Sequence, residues 1–150
     1  MQKISFLLLC FLLVFTSQKA LAADCSVNSG SDTSISADCD GFDLNSSNSN
    51  TITIDLNHSN FSSLQSQGWI QFTAEKMLIL KLSSSSYKAF DGRCPHQGIH
   101  TAWSYNTSNN RFTCGQHGNS YDTDCVTPGN GGVLTCYNTT LSGSSLVVTT

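Results

Sequence analysis

Asp91-Gly92-Arg93-Cys94-Pro95-His96-Gln97-Gly98-Ile99-His100 and, further on, Cys114-Gly115-Gln116-His117-Gly118-Asn119-Ser120-Tyr121-Asp122 are the segments around which the rest of the chain is organised. Cys94-x-His96 and Cys114-x-x-His117 each supply one thiolate and one imidazole, with seventeen residues between them. Each pair is followed by a glycine, Gly98 or Gly118. Two Cys and two His in two short clusters form a metal-ligand pattern, and a tetrahedral zinc site takes the same ligand types.

The order of the ligands, Cys-x-His with Cys-x-x-His, resembles the cluster-binding motif of Rieske iron–sulfur proteins. The resemblance extends to Tyr87-Lys88-Ala89-Phe90 before the first loop, to Cys94-Pro95-His96-Gln97-Gly98, to His117-Gly118-Asn119-Ser120-Tyr121-Asp122, and to a Gly/Pro loop before Leu134. It spans roughly residues 51–149 and implies that Cys94 and Cys114 bind one iron of a [2Fe–2S] centre while His96 and His117 bind the other. It implies also a hydrogen bond from Tyr121 to a cluster sulfur. Two loops are needed because one short loop cannot surround two irons and two sulfides. Gly98 and Gly118 are expected to take positive φ and so turn backbone N–H groups toward the sulfides. Imidazole ligands donate less charge than thiolates, which raises the potential to somewhere within about −150 to +300 mV. Their second ring nitrogens, facing solvent, are placed to titrate with the redox state.

Departures from the family pattern carry information. Respiratory Rieske proteins have a further Cys in each loop, joined as a disulfide; those positions hold Ile99 and Gln116 here. A serine hydroxyl beside the cluster is replaced by Asn119, while the tyrosine two residues on is kept as Tyr121. One hydrogen bond lost and one kept imply an intermediate potential, below the respiratory type.

Charged residues make up 11% of the chain, against about a quarter in ordinary domains, so the surface is polar but weakly charged. A net charge of −3 provides no basic patch and argues against nucleic acid as a partner. The N-terminus reads as a signal peptide over residues 1–22: Lys3, an apolar run from Ile4 to Phe15, and the small-residue cleavage site Ala20-Leu21-Ala22. That apolar run is too short to span a bilayer comfortably, although Thr16 and Ser17 could extend it into an anchor. The reading is an exported protein, periplasmic or secreted. The leader contains no arginine pair, whereas exported iron–sulfur proteins are expected to leave the cell folded by the twin-arginine route. Either the cluster is acquired outside or the site holds another metal. Of seven Cys, Cys10 leaves with the leader and two belong to the ligand set. Cys25, Cys39, Cys125 and Cys136 remain for two disulfides; three connectivities are open, and local pairing, Cys25–Cys39 with Cys125–Cys136, is the one expected.

Residues 23–50 are rich in Ser, Asn, Asp and Gly, end in Asn45-Ser46-Ser47-Asn48-Ser49-Asn50, and are expected to form a loose extension. An all-β domain follows over residues 51–150. Ile52, Ile54 and Leu56 alternate as in a half-buried strand, and Leu64 with Gly68 to Phe72 reads as a turn and a second strand. Met77 to Leu80 suits a strand buried on both faces. Ser83 to Ser86 make a turn, and Tyr87 to Phe90 lead to the first ligand loop. Trp103 and Tyr105 precede a turn at Asn106 to Asn110, and Arg111 to Thr113 return to Cys114. Pro128 to Gly132 form a loop. Val133 to Tyr137 and Leu146 to Thr149 are the last strands, with a turn at Ser142 to Ser145.

The resemblance implies an antiparallel β-sandwich base carrying a small rubredoxin-like cluster-binding subdomain, about 91–128. It implies an electron-transfer protein that is not itself an enzyme, handing single electrons to a redox partner such as a cytochrome, an oxidase subunit or a quinol site. Two other classes use the same residues: a structural zinc-binding module, and a disulfide-stapled secreted interaction domain without a redox centre. His58 and His100 read as surface residues, Trp69 and Trp103 as packing. The sequons at Asn45, Asn57, Asn60, Asn106 and Asn138 arise easily in a chain this rich in Asn, Ser and Thr.

Overall fold

A computed structural model of the chain describes residues 42–44 and 50–150. The expected signal peptide, the Cys25–Cys39 pairing and most of the Ser/Asn-rich extension lie outside the described residues. The described chain is mostly antiparallel β-structure. Its strands are β1 (Phe42–Leu44), β2 (Thr51–Asp55), β3 (Trp69–Phe72), β4 (Met77–Ser83), β5 (Ser86–Asp91), β6 (Arg93–Cys94), β7 (Ile99–His100), β8 (Trp103–Asn106), β9 (Arg111–Cys114), β10 (Ser120–Asp122), β11 (Cys136–Ser142) and β12 (Ser145–Thr149). Seven of them form one sheet in the order β1-β2-β12-β11-β5-β4-β3, while β10-β9-β8 and β6-β7 form two small sheets.

The strand β4 explains why there are two cores. Met77, Leu78, Ile79 and Leu80 are all buried, and because successive side chains point to opposite faces they divide between two clusters. Met77 and Ile79 join Ile52, Ile54, Phe61, Leu64, Leu146 and Val148 in the base. Leu78 and Leu80 join Phe90, Trp103, Phe112 and Tyr121, together with Cys94 and Cys114. The apolar run at 77–80 is thus the partition on which the ligand loops are seated. Burial of large apolar side chains, at about 25 cal/mol per Å², holds the small sheets against it.

The chain departs from the expected strand plan at three places. Ser62–Gln67 is a short α-helix (α1), preceded by a 3-10 turn at Ser59–Phe61 and ended by Gly68 in the left-handed region; six residues complete too little helix to show a period. Residues 42–44, inside the expected extension, form β1 and pair with β2 in the register Phe42↔Ile54. The last hairpin is displaced: β11 runs Cys136–Ser142 instead of 133–137, because Leu134 is buried in the ligand-side core from a segment outside any strand. The turn between Ser142 and Ser145 falls where expected.

Candidate metal centre

Cys94 ends β6 and Cys114 ends β9, and each opens a tight turn of the same design. Gly98 N–H donates to Cys94 O at 2.7 Å, and Gly118 N–H donates to Cys114 O at 3.0 Å. Both glycines have positive φ, 66° and 72°, a conformation a side chain at either position would strain. The positive φ is as expected, and the N–H groups of the two glycines close the turns. The groups that face the sulfurs are the N–H of His96 and Gln97 at Cys94, and of Gln116 and His117 at Cys114. Each Sγ sits in a nest of backbone donors, which favours a charged sulfur.

The two turns bring the predicted ligands together in unlike pairs. Cys94 and Cys114 are outside any disulfide, 1% and 0% exposed, and their sulfurs face one another. His96 and His117 are exposed, with ring centroids 5.3 Å apart and planes at 84°. Among the described residues no three His, Cys, Asp or Glu side chains gather as ligands of a single ion would. The four donors are divided, sulfur inside and nitrogen outside. That division suits a centre with two unlike irons.

Electrostatics at the sulfurs follow from burial and hydrogen bonding. Burial pushes both thiols up. At Cys94 the hydrogen bonds from Cys114, Tyr121, His96 and Gln97 outweigh it and bring the thiol below its ordinary value; Cys114, facing Cys94, sits above. Tyr121 is fully buried, and its phenol is pushed up to about 12 by burial and then by its contact with Cys94. It is therefore a donor throughout the working pH range. Its hydroxyl lies 2.8 Å from Asn130 O and 3.6 Å from Cys94 Sγ.

Contacts the sequence did not announce hold these loops in place. The 128–132 loop closes on the first turn so tightly that a Cβ on Gly131 would lie 2.6 Å from His96 Cα. Gln71, on β3, clamps the start of β8, the strand paired with β9: its Nε2 donates to Thr101 O at 2.7 Å and its Oε1 accepts from Trp103 N at 3.1 Å. Trp103 Nε1 donates to Gly92 O at 2.9 Å, so its indole serves packing, as does Trp69 against Phe112. Asp91, nearly buried, receives Arg93 through both its backbone N–H and its guanidinium. Asn119 Oδ1 accepts from Asn130 Nδ2 at 3.1 Å. The disulfide Cys125–Cys136 is formed, Cα–Cα 5.8 Å, and ties the loop after β10 to the base. His100 is exposed on β7, and His58 accepts from Asn60 N–H at the start of the 3-10 turn, away from the ligands. No polar signal in the sequence marks Gln71 or Asn130, because each acts on residues distant in the chain.

Residues 56–136 match the family model described as Rieske [2Fe-2S] domain. Among solved structures, the crystal structure of the cyanobacterial plasma membrane Rieske protein PetC3 from Synechocystis PCC 6803 is similar at 19% identity and a TM-score of 0.45, covering 59% of this chain and 93% of that one. No curated protein matches the chain. Among the described residues no helix is long and apolar enough to cross a membrane. With more than half its length matched by the family model, the chain belongs to the Rieske [2Fe–2S] domain family.

Proposed function

We propose that this chain is an exported one-electron carrier whose [2Fe–2S] cluster is held by Cys94 and Cys114 at one iron and by His96 and His117 at the other. The observation that carries the reading is the sorting of these donors into a buried, N–H-cradled thiol pair and an exposed imidazole pair. When bound, the cluster supplies one reversibly held electron at a potential set by its ligands and hydrogen bonds. The chain's own residues do the rest. The two turns fix the sulfurs, the Tyr121 hydroxyl lies against Cys94 Sγ, and the apolar core behind β6 and β9 keeps water away from the thiolates. His96 and His117 form the edge offered to a partner: a cytochrome, an oxidase subunit or a quinol site.

The leader at residues 1–22 supports export, with the domain from residue 51 as its cargo and residues 91–128 as the cluster-binding part. N-terminal sequencing of the mature protein recovered outside the cytoplasm is expected to begin at Ala23; an intact N-terminus on that fraction contradicts cleavage. Ligation is tested by replacing each donor in turn. Cys94→Ala, Cys114→Ala, His96→Ala and His117→Ala are expected to abolish iron and sulfide binding, whereas His58→Ala and His100→Ala retain both. Full iron content in any of the four ligand variants removes that residue from the site.

A further inference from the structure

Asn119 is half satisfied. Its Oδ1 accepts from Asn130 Nδ2, but its own Nδ2 is buried without a partner. The other such nitrogen among the described residues, Arg111 Nε, belongs to a guanidinium that donates to Ser120 O through Nη2. The Asn119 amide nitrogen has no equivalent outlet. Leaving a buried donor unpaired is costly, and native chains seldom do so. An acceptor that the polypeptide does not supply is implied.

The backbone places this residue beside the proposed ligands. Asn119 O accepts from Cys114 N at 2.8 Å, so this residue closes the turn that carries Cys114 and His117. Asn130 Nδ2 holds Oδ1 and so leaves Nδ2 as the buried end of the amide.

We propose that Asn119 Nδ2 donates a hydrogen bond to a sulfur of the [2Fe–2S] centre, with Asn130 as the positioning residue that orients the amide; this rests on the ligation proposed above. Added negative charge on a reduced cluster is stabilised by each donor to its sulfurs, so this bond raises the potential. Replacement of the respiratory serine by Asn119 is then an exchange of donors. The lowered potential expected from losing a hydroxyl is offset by the amide.

The test uses the cluster-loaded full chain grown with asparagine labelled with nitrogen-15 in the side-chain amide. Pulsed electron paramagnetic resonance of the reduced wild type is expected to show a weak coupling to a labelled amide that disappears in Asn119→Leu. Potentiometry is expected to find the potential lowered in Asn119→Leu, largely recovered in Asn119→Ser, and partly lowered in Asn130→Ala at unchanged iron content. No amide coupling in a wild type that holds two irons overturns the proposal alone, as does a wild-type potential in Asn119→Leu. If Asn119→Leu does not load, the wild-type coupling and the Asn119→Ser potential decide. A wild type without a two-iron centre overturns the ligation, and this proposal with it.

Discussion

Tyr121 has one hydroxyl proton and two acceptors within reach, Asn130 O and Cys94 Sγ. Because the phenol does not ionise in the working range, Tyr121→Phe removes a donor and nothing else. The variant is expected to lose about 1 kcal/mol of stability, read by denaturant titration, and to have a lower reduction potential. An unchanged potential would leave Tyr121 as packing alone. Carboxylates set the acid limit. Asp124 accepts from Val126 N–H, Thr127 N–H and the Thr127 hydroxyl, which hold its carboxyl at about 2. At Asp91 burial pushes the carboxyl up, but the hydrogen bonds from Arg93 outweigh it and the net shift is downward. A folded-state pKa below the unfolded value of 3.8 means that the Asp124 contribution is present above that pH and lost as the pH falls toward about 2. Asp124→Asn should therefore be less stable than wild type near neutrality and converge with it near pH ~2; a stability gap constant with pH contradicts this. At this scale the sequence was most informative about the proposed ligands, because each Cys and His pair lies within four residues and the turn holding it is local. It was silent on Asn119 as a donor, since the amide's orientation depends on Asn130, across a separate loop.

Elements were legible in proportion to how much pattern they carry. β2 and β12 alternate cleanly, and the run at 77–80 is apolar throughout because β4 is covered on both faces. The helix α1 buries only Leu64 and leaves no periodic trace. β11 reads as a polar segment because its residues are half-buried or exposed; it is a strand through its pairing with β5 and β12. Val133 and Leu134 look more strand-like, yet Leu134 plugs the ligand-side core from the loop. The 128–132 loop is the least legible element with the most direct effect on the site. Gly131 has φ 95°, and a methyl there would collide with His96. Gly131→Ala is expected to cost about 1–3 kcal/mol and to speed cluster loss, followed as bleaching of visible absorbance over time. Bleaching at the wild-type rate would show that the loop does not brace the first ligand turn.

For the molecule as a whole, the base is a scaffold, and the ligand-bearing part is held to it by the shared apolar cluster and by specific links. Lys88 Nζ reaches from β5 to Thr123 O at 2.7 Å, Gln71 clamps Thr101 and Trp103, and Cys125–Cys136 is the covalent tie. Cys125→Ser with Cys136→Ser is expected to lose about 3 kcal/mol in the chain-entropy account and to retain the cluster less well. All-β architecture, the seat of the loops and the family were legible because both ligand motifs stand intact. The central claim is the identity of the metal centre. Electron paramagnetic resonance of the dithionite-reduced protein, with iron, zinc and acid-labile sulfide assayed on the same sample, tests it most directly. A rhombic signal of a His-ligated [2Fe–2S] centre is expected, with two irons and two sulfides per chain. A silent sample holding one zinc per chain would contradict it and leave the same four residues as a structural site.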